Sequence, residues 1–452
     1  MSILDAHKVY FLGIGGIGMS ALARYFHLKG KEVSGYDRTS SVVTRGLEEL
    51  GITVFHALDP DRILAQEVVI FTPAIKSDNV ERAAVEASDI PMYKRAEVLG
   101  QISQAYRTLA VAGTHGKTTT STMLTHVMRA LGIDVTAFLG GISLNLNSNF
   151  VYGESDWLVV EADEYDRSFL HLHPEWAIIT SLDPDHLDIY GSEEEMRNTY
   201  KAFARQANHL LVHETVADKD WDLISKVYGT KGDFKLSELI FEGLQTHFTY
   251  QGTTSSTAIT LPMPGQHNVA NMTAALALVE SIASQSMNDL SKAVASFQGI
   301  YRRFEVHLHS ESLTYIDDYA HHPSEIAAAI DTGRRLFPQR KLVVVFQPHL
   351  FSRTQDFMEE FGRELSKSDA VVLANIYPAR EKPIKGVTSE ALASCISTEV
   401  HWVGEKENIV SVLSGVIEYP ALLLTLGAGD IDKEVPKVAA WVKSSVQNVE
   451  LS

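Results

Sequence analysis

A single glycine-bounded turn limits the folds open to this chain more than any other stretch. Residues 108–112 have the composition of a strand, the turn GTHG follows at 113–116, and a helical pattern begins at Lys117. Glycines let successive backbone N–H groups point into one concavity, and the following helix N-terminus adds the positive end of its dipole. A lysine here meets the β- and γ-phosphates of a nucleotide, and the hydroxyl of Thr118 can bind Mg²⁺. The turn therefore predicts a phosphate-binding loop in an α/β sheet.

This loop is a shortened one. The general phosphate loop has a further glycine, separated from Gly116 by four residues, and that position, 111, is Val here. An ordinary strand–turn–helix joint is the alternative, but the sequence Gly-Lys-Thr is hard to explain by packing alone. The shortened loop narrows the families of nucleotide-binding proteins that the chain can resemble.

Composition and charge restrict the class of protein. The 452 residues suggest two to four domains, and 45% hydrophobic with 21% charged residues is typical of a globular chain. The formal net charge of −18 disfavours a nucleic-acid-binding surface, so a phosphorylated ligand must be held by local basic groups and helix termini. The single cysteine, Cys395, excludes an internal disulfide and fits a reducing compartment. Without a leader-like N-terminal sequence or an apolar run of about 20 residues, we expect a cytoplasmic protein with no membrane contact.

A second glycine pattern lies near the N-terminus. Gly13, Gly15 and Gly18 match G-x-G-x-x-G between a predicted strand at 9–14 and a helical pattern, and Asp37 ends the next predicted strand. An acid about 20 residues after such glycines binds a ribose in dinucleotide-binding folds. The pattern predicts a phosphate-binding, Rossmann-like unit, and it leaves open whether the ligand is NAD or another nucleotide.

Four acids follow a predicted strand of the central region. Glu161, Asp163, Glu164 and Asp166 come directly after the apolar residues 157–160. An acid one βα unit past a phosphate loop is typical of a Mg²⁺ ligand. A solvated acidic loop is the alternative, although a charge on the last residue of a buried strand is unusual without a partner.

Three further polar residues have two interpretations each. His186, in the segment LDPDHLD after a predicted strand, is either a metal or phosphate contact or a hydrogen-bonded loop histidine. Asn268 and Asn271 stand at the beginning of a predicted helix, where they either cap the helix or bind the donor–acceptor edge of an adenine. The sequence alone leaves these alternatives open, and it also leaves open the local topology of residues 205–262.

The fold class expected is α/β, with three domains. Residues 1–105 form a Rossmann-like domain, residues 106–298 a central ATPase-type domain with a phosphate loop and a mostly parallel sheet, and residues 299–452 a second Rossmann-like domain. In the last of these, polar residues again follow the carboxyl ends of predicted strands, which is where open α/β sheets bind ligands.

Together these motifs resemble those of the Mur ligase family, the ATP-dependent amide-forming enzymes of peptidoglycan precursor synthesis. GTHGKTT, EADE, DPDHLD, GQHN with a further Asn, RRFE and DDYAHHP occur in the order that the family shows, and they cover essentially the whole chain. GIGGIGMSALA is similar to the form found both in the member that ligates L-alanine to UDP-N-acetylmuramate and in the member that recycles murein tripeptide. EADEYDRSFLHLHP and FQPHLFSRTQD are similar to segments of the first of these. The member that recycles murein tripeptide is the alternative within the family, and it differs in the last of these segments.

The resemblance implies a reaction and its small-molecule partners. The carboxylate of UDP-N-acetylmuramate would attack the γ-phosphate of ATP, and the amine of L-alanine would then displace phosphate from the acyl phosphate. ATP and Mg²⁺ are the cofactors implied, and the protein would be a monomer or a weak homodimer. Phosphoryl transfer of this kind depends on positioning and charge neutralisation more than on a covalent nucleophile.

The resemblance also implies roles for individual residues. The residues implied in catalysis are Lys117, Glu161, His186 and Arg303. Those implied in ATP binding are Gly113, Thr114, His115, Gly116, Lys117, Thr118, Thr119, Asn268, Asn271, Arg303 and Asp318, and those implied in metal binding are Thr118, Glu161 and His186. Those implied in binding the UDP-sugar are Gly15, Gly16, Ile17, Gly18, Asp37 and Thr72, and those near the amino acid are Tyr319, His349 and Arg353. Arg303 belongs to the third domain, so its approach to the γ-phosphate would require that domain to close and exclude water.

Two positions depart from the family pattern. Leu350 and Phe351 stand where the segment FQPHRYTRT carries Arg and Tyr, which removes one candidate cation from the amino-acid pocket. The preference for L-alanine over glycine or L-serine is therefore left open. Two alternatives come from other classes, an NAD-dependent dehydrogenase and a phosphate-loop ATPase that acts as a switch or motor. The ATP loop of the second domain disfavours the dehydrogenase, and the lack of a basic surface disfavours the switch or motor.

Overall fold

A computed structural model describes residues 3–72, 75–183, 190, 192–217, 221, 223, 225–379 and 381–450. The chain forms two compact units, residues 1–298 and 299–452. The first unit contains two sheets and the second unit contains one. Within the described ranges, no helix is both long and apolar enough to cross a membrane.

The first sheet is parallel throughout and has the strand order β3-β2-β1-β4-β5. Its strands are β1 (Lys8–Leu12), β2 (Glu32–Tyr36), β3 (Thr53–Phe55), β4 (Val68–Phe71) and β5 (Met92–Lys94). The helices between and after them are α1 (Ile17–Leu28), α2 (Val42–Glu48), α3 (Pro60–Leu64), α4 (Val80–Glu86) and α5 (Arg95–Gln104). Strand β4 is buried along its whole length, as expected for a parallel strand covered on both faces. The strand order reverses between β1 and β4, which places a ligand crevice at their carboxyl ends.

The central sheet is parallel in its middle and antiparallel at both edges, with the order β15-β14-β13-β12-β11-β10-β6-β9-β7-β8. The strands are β6 (Arg107–Ala112), β7 (Thr136–Ser143), β8 (Ser148–Val151), β9 (Trp157–Glu161), β10 (Pro174–Ile179), β11 (His209–His213), β12 (Lys226–Gly229), β13 (Phe234–Glu242), β14 (Gln245–Gln251) and β15 (Ser256–Leu261). The described α-helices of this region are α6 (Lys117–Ala130), α7 (Glu193–Ala204), α8 (Gln266–Ile282) and α9 (Met287–Ala295). Helices α6 and α8 pack against each other.

Helix α1 of the first sheet packs directly on the central sheet. The ring of Tyr25 lies 5.7 Å from that of Phe138 on β7, and the Phe138 and Phe150 rings lie 5.1 Å apart. All three side chains are buried. Because buried aromatic side chains contribute large contact areas, this cluster fixes α1 relative to the central sheet.

The second unit is built on a third sheet of order β16-β17-β21-β18-β19-β20, antiparallel only between β16 and β17. The strands are β16 (Glu305–His309), β17 (Leu313–Asp318), β18 (Lys341–Phe346), β19 (Ala370–Ala374), β20 (Glu399–Gly404) and β21 (Ala421–Leu426). The α-helices are α10 (Pro323–Leu336), α11 (Phe351–Asp356), α12 (Met358–Leu365), α13 (Ser389–Ala393), α14 (Ile409–Val416) and α15 (Val435–Glu450). The buried residues of β18 and β21 are all apolar apart from Thr425.

The α/β class and the parallel-dominated sheets that the sequence predicts are confirmed. The strand predicted at 9–14 ends earlier, at Leu12, because Gly13 adopts a φ of +83° and starts the glycine turn. Residues 205–262, whose topology the sequence left open, add β11 and β12 in parallel and then an antiparallel meander of β13, β14 and β15.

Candidate functional site

The phosphate loop is held on one side by the residues that follow strand β10. Gly113 and Gly116 have φ values of +134° and +81°, which favour glycine. The Ser181 hydroxyl accepts a hydrogen bond from the His115 N–H at 2.9 Å, and the Thr180 hydroxyl donates to the Ala112 carbonyl at 3.1 Å. The loop is therefore preorganised between β6 and the N-terminus of α6.

Lys117, the first residue of α6, folds back over this loop. Its ammonium donates to the Gly113 carbonyl at 2.8 Å and to Glu164 Oε1 at 2.8 Å. Glu164 is buried, and the Tyr190 hydroxyl donates to its backbone carbonyl at 2.6 Å. Burial raises the pKa of the Glu164 carboxyl, and the Lys117 charge opposes that rise. Glu164 thus holds the Lys117 ammonium beside the phosphate loop. The segment EADE did not predict this pairing.

Glu161 stands on the strand next to the phosphate-loop strand. It is the last residue of β9, and it is in register with Val111 of β6. The Gly140 N–H donates to Glu161 Oε2 at 3.1 Å, and a Cβ atom at position 140 would lie 2.2 Å from that oxygen. The absence of a side chain on Gly140 therefore lets the β7 backbone orient the Glu161 carboxylate.

The residues around the loop suit a nucleotide and a hard divalent cation. The N-cap of α6 is Gly116, which has no side chain to satisfy the first-turn amides. Thr118 supplies a hydroxyl in that first turn and Glu161 a carboxylate, and oxygen ligands of this type are what Mg²⁺ prefers. His186, the third predicted metal ligand, lies outside the described residues.

The two asparagines of α8 lie behind the loop, but neither is the N-cap. The N-cap is Gly265, and Asn268 donates its side-chain amide to the Pro264 carbonyl at 2.7 Å. A Cβ atom at Gly116 would lie 2.6 Å from Asn271 Oδ1, so the Asn271 amide rests directly on the phosphate loop. Both side chains are buried. The roles predicted for them toward adenine stay predictions.

The N-terminal glycines form a loop at the carboxyl edge of the first sheet. The Gly15 N–H donates to Asp37 Oδ2 at 2.9 Å, and the Thr39 N–H donates to Oδ1 at 3.2 Å. Gly13 approaches the Thr72 methyl group so closely that a Cβ atom would lie 2.9 Å from it. Gly16 is the N-cap of α1 and again offers no capping side chain. The predicted UDP-binding residues, Gly15, Gly16, Ile17, Gly18, Asp37 and Thr72, thus cluster where β1, β2 and β4 end.

In the second unit, a buried ion pair supports the predicted residue Arg303. The neighbouring Arg302 is buried, and its Nε donates to Asp317 Oδ2 at 2.7 Å while its Nη2 donates to the Gly427 carbonyl at 2.8 Å. The guanidinium carbon of Arg303 lies 5.5 Å from the ring centre of Tyr319. Breaking a buried pair by removing one partner is strongly destabilising, so Arg302 anchors the turn that carries Arg303.

The same turn engages Asp318. The carboxylate accepts hydrogen bonds from the Phe304 N–H at 2.6 Å and from the Ala320 N–H at 2.8 Å. Burial raises the pKa of Asp318 to about 6, although the Arg303 charge opposes the rise. Through these hydrogen bonds, Asp318 stabilises the backbone next to Arg303. It is also a predicted contact of the ATP ribose.

Histidine and arginine side chains meet at the carboxyl ends of β17 and β18. The His349 ring stacks on Tyr377 at 5.7 Å and lies 6.1 Å from the His321 ring. Burial lowers the pKa of His321, and the Arg353 charge contributes to that shift. The Nη1 atom of Arg353 is buried and has no hydrogen-bond partner within the part of the chain that the structure describes. A buried guanidinium nitrogen of this kind calls for an anionic partner.

Several supporting residues were not predicted from the sequence. Gly140, Thr180, Ser181 and Arg302 act through neighbours that only the sheet topology brings together. Thr180 and Ser181 could have been found from their place after a buried strand, as Glu161 was. Near Arg302, ligand-type atoms of Glu305, His307 and Asp317 lie within 4.8 Å of one another, but the Arg302 guanidinium already pairs with this group.

Comparison with known proteins decides the family. Three family models match in series: "Mur ligase family, catalytic domain" at residues 8–107, "Mur ligase middle domain" at 111–279 and "Mur ligase, glutamate ligase domain" at 302–429. The chain belongs to the Mur ligase family. This membership confirms the resemblance that the sequence motifs indicated.

Individual Mur ligases match over nearly the full chain. The UDP-N-acetylmuramate–L-alanine ligase of Porphyromonas gingivalis is 43% identical over 97% of this chain and 99% of its own. That of Cytophaga hutchinsonii is 40% identical over 97% of each chain. The crystal structure of the UDP-N-acetylmuramate–alanine ligase from Thermotoga maritima superposes with a TM-score of 0.84 at 30% identity, over 97% of this chain and 99% of the other.

Proposed function

We propose that this Mur ligase joins L-alanine to the carboxylate of UDP-N-acetylmuramate, with ATP converted to ADP and phosphate, in peptidoglycan precursor synthesis. The observation that carries the proposal is the pairing of a phosphate loop on β6 with Glu161 on the adjacent strand β9, in a chain similar over its length to ligases of this specificity. The carboxylate attacks the γ-phosphate, and the amine displaces phosphate from the acyl phosphate. Both steps need positioned charges, which the loop supplies.

In the first unit, Lys117 carries the charge for the triphosphate. The phosphates replace the Gly113 carbonyl and Glu164 as acceptors of its ammonium protons. Thr118 and Glu161 would hold Mg²⁺, whose positive charge would offset the negative charge of the triphosphate as a carboxylate approaches it. Gly140 keeps the Glu161 carboxylate oriented through its backbone N–H. His186 is proposed as the third metal ligand from the resemblance alone.

In the second unit, Arg353 pairs with the carboxylate of the incoming amino acid. Its buried Nη1 atom supports this, since among the described residues it meets no acceptor. His349 and Tyr319 are proposed as its neighbours in the amino-acid pocket. The roles of Arg303 and Asp318 toward ATP stay predictions. The cytoplasmic location of the protein and its state as a monomer or weak homodimer also stay predictions.

The test is phosphate release from ATP and Mg²⁺ with UDP-N-acetylmuramate, with and without L-alanine, and with L-Ala-γ-D-Glu-meso-diaminopimelate in a parallel reaction. We expect release only when the UDP-sugar and L-alanine are both present. Parallel reactions with glycine and L-serine measure how strictly the pocket that contains Leu350 selects its amine. Release that depends on the tripeptide instead would make the protein a recycling ligase and overturn the proposal.

A further inference from the structure

Arg95 occupies an unusual place at the edge of the first sheet. It begins helix α5 directly after the carboxyl end of β5, on the same edge as the predicted UDP-binding glycines. Its side chain lies over Gly18, in the first turn of α1: a Cβ atom at position 18 would lie 2.8 Å from Arg95 Nη1 and 3.1 Å from its Cδ. The absence of a side chain on Gly18 therefore leaves space for the Arg95 guanidinium, which any larger residue would fill.

The Arg95 cation lies beside the positive end of a helix dipole, where the partly exposed Asp163 carboxylate is its described counter-ion. The first turn of α1 carries the positive end of the helix dipole, and its N-cap, Gly16, has no side chain to satisfy the amides. The described partner of Arg95 is Asp163, whose Oδ2 lies 3.0 Å from Nη2. Both side chains are partly exposed, at 24% and 39%, and ion pairs of this kind contribute little to stability. A ligand anion would engage both the amides and the guanidinium.

The arrangement also joins the two sheets of the first unit. Arg95 and Asp163 line, together with Glu161, a cavity of about 10 Å³, the size of a single water molecule. The first turn of α1 also contacts the central sheet, because the buried Asn149 of β8 donates its side-chain amide to the Ile17 carbonyl. The first turn of α1 thus contacts both Asn149 and Arg95.

We propose that Arg95 is a substrate-binding residue that pairs with the diphosphate of the UDP-sugar, and that Asp163 orients its guanidinium. This inference rests on the proposed function, which supplies the UDP-sugar, and adds a residue to its binding site. The alternative is that Arg95 is only a structural link between α5 and the acidic segment. The neighbouring pair Lys94–Asp166, 3.2 Å apart, links the same two segments and provides a matched control.

The test is calorimetric titration of UDP, and separately of UDP-N-acetylmuramate, into the full-length protein without ATP. For Arg95→Ala we expect both affinities to fall tenfold to a hundredfold, because charge-assisted hydrogen bonds to the diphosphate are lost. Lys94→Ala should leave both affinities within twofold of the wild type. Asp163→Asn should retain most of the UDP affinity, since the guanidinium remains available.

Three outcomes would overturn the proposal. The first is an unchanged UDP affinity in Arg95→Ala, and the second is a loss confined to UDP-N-acetylmuramate, which would move the contact to the sugar. The third is a loss in Asp163→Asn as large as in Arg95→Ala, which would make the ion pair itself the important feature. Melting temperatures of all variants check that each is folded. A wild type that binds UDP but makes no product from L-alanine would contradict the proposed function and leave the role of Arg95 decided by the UDP titrations.

Discussion

Arg353 presents a guanidinium whose Nη1 atom is buried without an acceptor among the described residues, and its charge acts on His321 and Tyr319. Substitution of Arg353 by Ala should raise the KM for L-alanine at least tenfold, because a charge-assisted pair with its carboxylate is lost. The KM for ATP should change less than twofold. Arg353→Lys should recover only part of the loss, since an ammonium cannot form the bidentate pair.

Steady-state kinetics with each substrate varied in turn measures these effects. Arg363→Ala is the matched control, because this arginine lies on α12 with a side chain that is 67% exposed. It should leave both KM values unchanged. Equal increases in both KM values for Arg353→Ala would place this residue outside the amino-acid pocket.

Asp318 gives the second unit a pH-dependent stability. Burial raises its pKa from 3.8 to about 6, so between these values the folded state binds more protons than the unfolded state. The stabilisation is therefore present at low pH and lost as the pH rises through about 6. Relative to Asp318→Asn, the free energy of unfolding of the wild type should fall by about 1 kcal/mol from pH 5 to pH 7. Urea unfolding of both proteins at each pH measures the difference, and a difference independent of pH would contradict the shift.

At the scale of one element, the phosphate loop depends on a backbone geometry that only glycine adopts without strain. Gly116→Ala places a methyl group 2.6 Å from Asn271 Oδ1 at a φ of +81°. We expect ATP affinity to fall at least tenfold and the free energy of unfolding to fall by about 1–3 kcal/mol. Gly132→Ala is the matched control: it follows the other end of α6, at a φ of +76° with no atom within 4 Å of the added Cβ. It should reduce stability but leave ATP affinity unchanged. Thermal unfolding measures the first property and nucleotide titration the second.

How well an element could be predicted depends on how far apart in the sequence its interacting residues lie. The loop at 113–116 and the helix from Lys117 depend on local glycine chemistry, and both are where the sequence predicted them. The contact of Gly140 with Glu161 depends on the pairing of β7 with β9, and the Lys117–Glu164 pair joins residues 47 positions apart. No local pattern encodes such contacts. The sequence leaves the meander from β13 to β15 open, since the exposed end of β13 breaks the alternation of buried and exposed residues.

For the whole molecule, the charge balance decides how anionic substrates are held. The chain has a net charge of −18, yet its proposed substrates carry a diphosphate, a triphosphate and carboxylates. Each must therefore be held by a few cations and helix N-termini at the carboxyl edges of the sheets rather than by a basic surface. In the first unit these positions are separate, with the glycine loop of α1 on one sheet and the phosphate loop of α6 on the other.

This separation makes the effect of removing the phosphate-loop lysine specific. Lys117→Ala should abolish acyl phosphate formation, because the charge that holds the triphosphate is lost, while UDP-sugar affinity stays within twofold of the wild type. Arg129→Ala removes a cation from the last turn of the same helix and should leave both properties unchanged. Phosphate release and calorimetry with the UDP-sugar measure the two effects independently. If UDP-sugar affinity fell as far as turnover in Lys117→Ala, the two anion sites would have to be one, and the assignment of the UDP-sugar to the first sheet would be wrong.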